Sequence, residues 1–392
     1  MKKLIIPVII GLVAFKSIGQ TNPPPPPDNA GIENRVITTG VPFMLIGADP
    51  RSGGMGDIGV VTSADAFSQQ WNPAKYAFAL SKQGVGATYT PYLNKLVNDI
   101  FLGNLTYYNR LNEQSAVAAS FRYFSQGEIE LRERPDDIPV IVKPNELLFD
   151  VSYALRLSER FSMAVAGRYI RSDLKLQTSV EDANAASSVA VDVAGYYQSE
   201  EIPYDDFDGR WRLGFNISNI GPKLKYDEVG SESNLPTNLA LGGGFDFILD
   251  EYNKVGISAE VNKLLVPTPS DSNNDGNINK EDDYYNKSFF SGIFSSFSDA
   301  PDGFSEELKE FTWALGAEYW YQDVFALRGG YFNESDVKGG RKFATIGAGF
   351  RYTFIGIDLS YLFSTSKLAN SPLDGTLRFG LTFNFGDTYD EY

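Results

Sequence analysis

The densest run of hard oxygen donors in the chain is Asp271-Ser272-Asn273-Asn274-Asp275-Gly276-Asn277-Ile278-Asn279-Lys280-Glu281-Asp282. A calcium ion takes roughly six to eight oxygens from a tightly curled backbone. Here Asp271, Asn273 and Asp275 offer side-chain oxygens, and Gly276 permits the sharp turn. The spacing predicts a Ca2+ site of the weak, extracellular affinity class, whose job is to stiffen a long external loop. The competing reading is a solvated loop that is merely rich in Asn and Asp.

This order of residues resembles the calcium loop of EF-hands, and more closely its dockerin-type version, which implies that Asn277 would give its carbonyl, Asn279 a water contact and Asp282 the closing carboxylate. It departs from the pattern in two ways. Aspartate at the closing position has a shorter reach than glutamate, and no regular helix is expected on either side.

Other chemistry is excluded by composition. The 392 residues contain neither cysteine nor histidine. That removes thiol nucleophiles, thiolate and imidazole metal sites, disulfides and a conventional neutral-pH base. An enzyme is therefore not expected; acyl transfer by a serine needs an activating base. The net charge of −16 argues against nucleic acid, whose phosphates demand concentrated Lys and Arg. Gly54-Met55-Gly56-Asp57-Ile58-Gly59 has the spacing of a dinucleotide loop, but the βαβ context is missing. It reads as a flexible turn.

The elements that must position any site begin after an export signal over residues 1–20. Lys2 and Lys3 precede a short apolar run from Leu4 to Phe15, and Ser17-Ile18-Gly19 suits cleavage before Gln20. Residues 21–82 form an N-terminal unit without period-2 alternation. It opens with a polyproline spacer, Pro23 to Pro27, and carries a helix-compatible run from Asp57 to Gln70. Residues 83–386 read as strand after strand, and 387–392 as a short tail.

Alternation decides what kind of sheet this is. Leu377, Phe379, Leu381, Phe383 and Phe385 share one face of the final candidate strand, opposite Arg378, Gly380, Thr382, Asn384 and Gly386. Trp211, Leu213, Phe215 and Ile217 stand likewise against Arg210, Arg212, Gly214, Asn216 and Ser218. The segments run to about ten residues, the length a tilted strand needs to cross the hydrocarbon layer. Aromatics such as Tyr107, Tyr108, Tyr196 and Tyr197 sit near strand ends. Lipid offers the backbone no partners, so such a sheet must close on itself. The expected fold is all-β, a fourteen-stranded antiparallel transmembrane β-barrel.

The strand centres fall near Ala87, Leu105, Ala119, Val151, Val165, Val191, Phe215, Leu241, Ile257, Leu315, Gly329, Gly347, Leu359 and Leu381. An even count puts both ends in the periplasm. Short connections then fall on that side and the long ones, 125–145, 221–237 and 265–310, outside. The acidic stretch from Gln198 to Asp208 breaks the rule, so either a strand is miscounted there or the loop has a role. Single charges of both signs mark the inferred lumen face: Arg122, Asp150, Arg168, Asp192, Arg212, Asp246, Glu260, Glu318, Arg328, Arg351, Asp358 and Arg378. Mixed sign predicts a network bracing the wall and its plug; a selective pore would show one sign.

The stretch Gly47-Ala48-Asp49-Pro50-Arg51-Ser52-Gly53-Gly54-Met55-Gly56, with Ala64-Asp65-Ala66 and Trp71-Asn72-Pro73-Ala74, resembles the hatch of FadL-like barrels. That resemblance implies an N-terminal hatch segment inside the lumen. Ile217-Ser218-Asn219-Ile220-Gly221-Pro222-Lys223-Leu224-Lys225-Tyr226, then Leu235-Pro236 and Leu239-Ala240-Leu241-Gly242, is similar to the PorV (LptO) branch. This implies an outer-membrane component of type IX protein secretion. Its partners would be the translocon barrel protein, the C-terminal signal domain of secreted cargo, and the sortase-like surface attachment complex. It would sit in a lipopolysaccharide-bearing membrane. The alternative is a FadL-type channel for hydrophobic small molecules, with Phe43, Met44, Leu45 and Ile46 forming part of an apolar pocket. The tail departs from the general barrel pattern, since the last strand is expected to end near Phe385 and the terminal Tyr392 lies beyond it.

Overall fold

The computed structural model describes residues 35–392 other than 94, 96, 98, 133, 135–137, 175–184, 227–231, 274–277, 279–280, 367–372 and 390–392. The expected signal and polyproline spacer lie outside the described residues, as do the last three residues of the tail.

Fourteen long strands carry the fold. They are β1 (Ser81–Pro91), β2 (Ile100–Arg110), β3 (Ser115–Gln126), β4 (Asn145–Arg156), β5 (Phe161–Asp173), β6 (Ala186–Gln198) and β7 (Asp208–Ile220). The second half comprises β8 (Asn238–Ile248), β9 (Asn253–Leu264), β10 (Phe311–Tyr321), β11 (Phe325–Asn333), β12 (Lys342–Tyr352), β13 (Ile355–Ser364) and β14 (Leu377–Thr388). Each pairs antiparallel with its chain neighbours, and β1 also pairs with β14, Ala87 standing opposite Leu381. The sheet therefore closes, leaving no open edge of unpaired backbone in a medium that could not satisfy it. Every expected strand centre falls inside a strand.

Side-chain parity follows the sequence pattern. Outward residues such as Leu327 and Val189 are 63% and 60% exposed. Inward residues such as Asp150, Asp192 and Glu260 are buried. Apolar groups facing out and charges facing in invert a soluble sheet, and suit a wall set in lipid. Among the described residues no helix is long and apolar enough to cross a membrane; the crossing elements are strands.

The connections obey the expected parity. At one end they are tight (111–114, 157–160, 249–252, 322–324, 353–354), and Gln322 and Asp323 both adopt the left-handed backbone of a tight hairpin. At the other end lie 127–144, 221–237 and 265–310. By the usual rule the tight end is inner and the long-loop end outer. The exception at 198–208 is no miscount. Ile202–Pro203 pairs with Asp208 and Gly209, so the β6–β7 hairpin simply extends further at the inner end.

Three details differ from expectation. Helix within 57–70 is confined to the start of the turn Ser68–Trp71. The stretch before it spends its backbone donors on the wall: the Gly59 and Val60 N–H groups both donate to Glu260, each at 3.0 Å. β14 runs to Thr388, past the expected end at Phe385. A one-turn helix, Asp283–Asn286, directly follows the candidate calcium loop.

Candidate functional site

The described chain starts at the outer end of the barrel. Arg35 donates to Glu306 (2.7 Å) and Asp302 (3.1 Å) in the longest outer loop, and the Gly40 N–H donates to the Asn234 carbonyl in the 221–237 loop. The segment then descends among inward-facing side chains. At the inner end the Tyr389 N–H, just past β14, donates to the Leu80 carbonyl.

Local rules shape this segment. Asp49 caps the turn Pro50–Gly53, accepting from the N–H groups of Arg51 (2.8 Å) and Ser52 (3.2 Å), with Pro50 at the first helical position. Trp71 Nε1 also donates to Asp49, at 3.2 Å. Asn72 caps Pro73–Phe78 by accepting from the Ala74 N–H, while its amide donates to the carbonyls of Val60 and Gly195, each at 3.0 Å. The Asn-Pro-Ala element is thus a cap and a clamp to β6 at once. That turn packs into an apolar cluster on one side of the lumen: Ala116, Ala154, Ala164 and Ala194 surround Tyr76, Ala77 and Phe78. Close approach to β11 needs glycine. A Cβ on Gly330 would stand 2.1 Å from the Met55 carbonyl carbon, and one on Gly316 of β10 2.6 Å from the Met55 oxygen.

The charges expected on the lumen face are all buried or partly buried, and most join networks centred on the segment. Arg51 grips Glu318 through two bonds (Nε 2.9 Å, Nη2 2.7 Å) and reaches Asp65 at 3.0 Å. Glu318 also accepts from Arg328 (2.6 Å), which donates to Asp358 (2.7 Å), and Asp358 accepts from Arg351 (2.7 Å). Arg378 holds Asp57. Arg168 pairs with Asp192, lies 3.8 Å from Asp150 and donates to Asn219. Arg212 pairs with Asp246, and Arg122 donates to the Met44 carbonyl at 3.2 Å. Desolvated charges persist where a network supplies both signs, while Arg122 and Glu260 are held by backbone carbonyl and N–H groups.

Sequence reading placed the wall charges but missed their partners Arg51 and Asp57, and Asp65, which pairs with Arg51; all three lie in a segment with no period to reveal direction. It also missed Asn219. This residue sits at a register shift in β7 with left-handed backbone (φ 63°), and its N–H donates to Asp192. The Asn-Ile-Gly-Pro stretch is therefore the bulge that aims an amide at Arg168.

Two cavities flank the segment. The outer one holds about 640 Å3 and is lined by Phe43, Met44, Leu45, Ile46, Tyr92, Phe124, Phe332 and Phe343, with Arg341, Arg378 and Glu334 among its polar groups. The inner one, about 360 Å3, is lined by Arg51, Asp65, Arg210, Arg212, Asp246, Glu318 and Asp358. At the outer mouth a second charge cluster ties loops together. Lys263 bonds Glu307 (3.2 Å) and Glu310 (2.6 Å), and Lys338 bonds Glu306 (2.6 Å) and Glu310 (2.9 Å).

Of the candidate calcium ligands, Asp275 and Asn277 lie outside the described residues, as do Gly276 and Asn279. Asp271 and Asn273 are described. The Asp282 carboxylate is buried and accepts from the Ser272 N–H (2.7 Å) and hydroxyl (3.2 Å), drawing the two ends of the run together. Among the described residues no group of three carboxylates is arranged to hold a metal.

A closed fourteen-strand wall with an apolar outside and a charged lumen, carrying its long loops at one end, defines an outer-membrane β-barrel. The fold is FadL-like. It resembles the CymD monoaromatic hydrocarbon channel (14% identity over 87% of this chain and 98% of that one, TM-score 0.50). It also resembles the Pseudomonas putida toluene transporter TodX (11% identity over 89% and 98%, TM-score 0.50). No curated protein matches the sequence. The family model described as type IX secretion system protein PorV matches residues 29–271. The chain belongs to the PorV family, and is an outer-membrane component of type IX secretion.

Proposed function

We propose that this barrel works as a secretion adaptor: it binds the translocon barrel and the C-terminal signal domain of exported cargo, then passes cargo to the sortase-like surface attachment complex. The observation that carries this reading is the family match over residues 29–271. The lumen supports it. Residues 47–79 act as a hatch cross-braced to the wall by Arg51–Glu318 and Asp57–Arg378, so useful binding surface is left to the rim and outer loops. The role is carriage, not catalysis.

Purifying the tagged protein from its own cells tests the proposal. A very large barrel and secreted proteins should co-purify, and deletion of 268–300 should abolish both their retention and secretion. Normal secretion by the deleted protein would move the binding surface to another loop.

A second reading, uptake of hydrophobic small molecules, is favoured by the outer cavity, to which Phe43–Ile46 contribute as expected. Saturable binding of an apolar fluorophore, lost on Phe43→Asp substitution, would support it. Absence of co-purifying partners would make it the better reading.

For the long loop we propose that Asp271, Asn273, Asp275, Asn277 and Asp282 hold Ca2+. Calorimetry should give a saturable calcium heat that disappears in Asp271→Ala/Asp275→Ala. A flat titration of the unaltered protein removes the site.

A further inference from the structure

Residues 35–46 come into the barrel from its outer end, and their two halves are held differently. From Pro42 on the chain is fastened to the wall: Phe43 stacks on Phe124 of β3 with ring centroids 6.0 Å apart, and the Met44 carbonyl accepts from Arg122 of the same strand. Before that turn the fastenings are to loops. Arg35 donates to Asp302 and Glu306 between β9 and β10, and the Gly40 N–H donates to the Asn234 carbonyl at 2.9 Å. Between these two ties Val36 and Thr38 are exposed.

β3 stands half-way round the fourteen-strand wall from β9 and β10. A chain tied at one point to the β9–β10 loop and at another to β3 must cross the mouth of the barrel. It crosses over the outer cavity, which Val36, Ile37, Thr38 and Thr39 line together with Phe124 and Ser218 of the wall. The junction between the two halves is strained. Val41 has φ 49° and ψ 50°, the left-handed region, where a β-branched side chain is a genuine outlier. Such backbone persists only where the surroundings hold it. Here the buried side chains of Val41 and Phe43 hold it from below, and the ties of Gly40 and Arg35 from above.

We infer that residues 35–40 are a strap hinged at Val41, which closes the outer cavity to the outside while Arg35 and Gly40 are fastened and admits small solutes when they let go. Releasing the upper ties lets Val41 return to extended backbone, and the strap swings off the mouth. The part from Pro42 inward stays with the wall, so the barrel itself need not move.

The chain has no cysteine, so introduced thiols report cleanly. Ser218→Cys places one in the outer cavity. Gly40→Cys/Ser233→Cys supplies a lock for the strap: an ideal Cβ at Gly40 stands 3.1 Å from that of Ser233, a few tenths short of the roughly 3.5–4.5 Å that a disulfide spans. Alkylation of the thiol at position 218 by a charged maleimide is followed in detergent, through the mass of the peptide that carries it. The rate should fall several-fold when the lock is oxidised and return on reduction. In Arg35→Ala it should rise several-fold above that of Ser218→Cys alone. Equal rates in the oxidised and reduced lock overturn the inference, because the lock leaves the 265–310 loop untouched. An unchanged rate in Arg35→Ala, which needs no lock, overturns it as well. Heat-modifiable mobility on gels verifies that each variant has folded. The result is independent of the secretion reading, because the assay contains neither translocon nor cargo.

Discussion

The lumen segment 35–80 and the outer loop 265–310 are both stretches without a repeating pattern, and both are pinned by buried carboxylates. They differ in where the partners come from. Arg51 finds Glu318 across 267 positions of sequence, on a strand that reaches it only when the wall has closed. The outer loop, though tied to the first region by Arg35–Glu306 across 271 positions, also has partners close by: the Ala300 N–H finds Glu307 seven positions away, and Lys263 finds Glu310 at a separation of 47. The first region cannot order before the barrel does and stands or falls with it. The second can loosen alone, as locally closed units do.

The largest effect expected from this contrast is in Glu318→Ala. It leaves Arg51 and Arg328 without their shared carboxylate, a loss of about 3–5 kcal/mol for a broken buried pair. Thermal melting of the detergent-solubilised barrel should shift down strongly, and the segment should become protease-sensitive in the same transition. Proteolysis of the segment with an unmoved barrel transition would show that the two are separate units.

Gly330→Ala comes next. The added methyl meets the Met55–Gly56 backbone, which cannot turn aside as a flexible side chain does. Overpacking of this kind costs about 1–3 kcal/mol. Gly329→Ala faces outward with only one contact at 4.0 Å and should leave the melting temperature unchanged. Equal melting of both variants would mean that the segment does not press on the wall.

Glu310→Ala removes a partner from both Lys263 and Lys338 in the outer cluster. Hydrogen bonds to charged groups are worth about 1.5–3 kcal/mol, so the loop should open to protease while the barrel transition stays in place. A barrel that melts with the loop would erase the contrast.

The smallest effect is in pH. Burial pushes the Glu306 carboxyl up, but bonds from Lys338, the Asp302 N–H and Arg35 outweigh it, and the net direction is below the ordinary value of 4.5. A depressed carboxylate contributes its stabilisation fully above the unfolded value and loses it as pH falls through the folded one. Protease sensitivity of the outer loop should therefore rise only below pH 4.5. Glu306→Gln should be sensitive at neutral pH and flat with acidification.

The legible part of this molecule was the wall. Leu377 to Phe385 announce their own two faces because each inward or outward choice in a strand repeats every second residue, and a run of about ten such choices spells a membrane crossing. The Asn-Pro-Ala and Asn-Ile-Gly-Pro stretches were visible as motifs, and the parity of loop lengths followed from the strand count. The run from Asp57 to Gln70 misled, because helix-compatible residues carry no sign that Glu260 will take their backbone donors.

From the residues alone came the strands, their facing, the closed sheet and the even count, all consequences of local alternation in a solvent that cannot bond the backbone. Only the closed structure decided that Arg51 belongs to Glu318, that Asn219 serves Arg168, and that Lys263 belongs to Glu307 and Glu310. The reason is that ion pairs are specified by proximity in space, and strands far apart in the chain become neighbours only once the wall has curved round to meet itself.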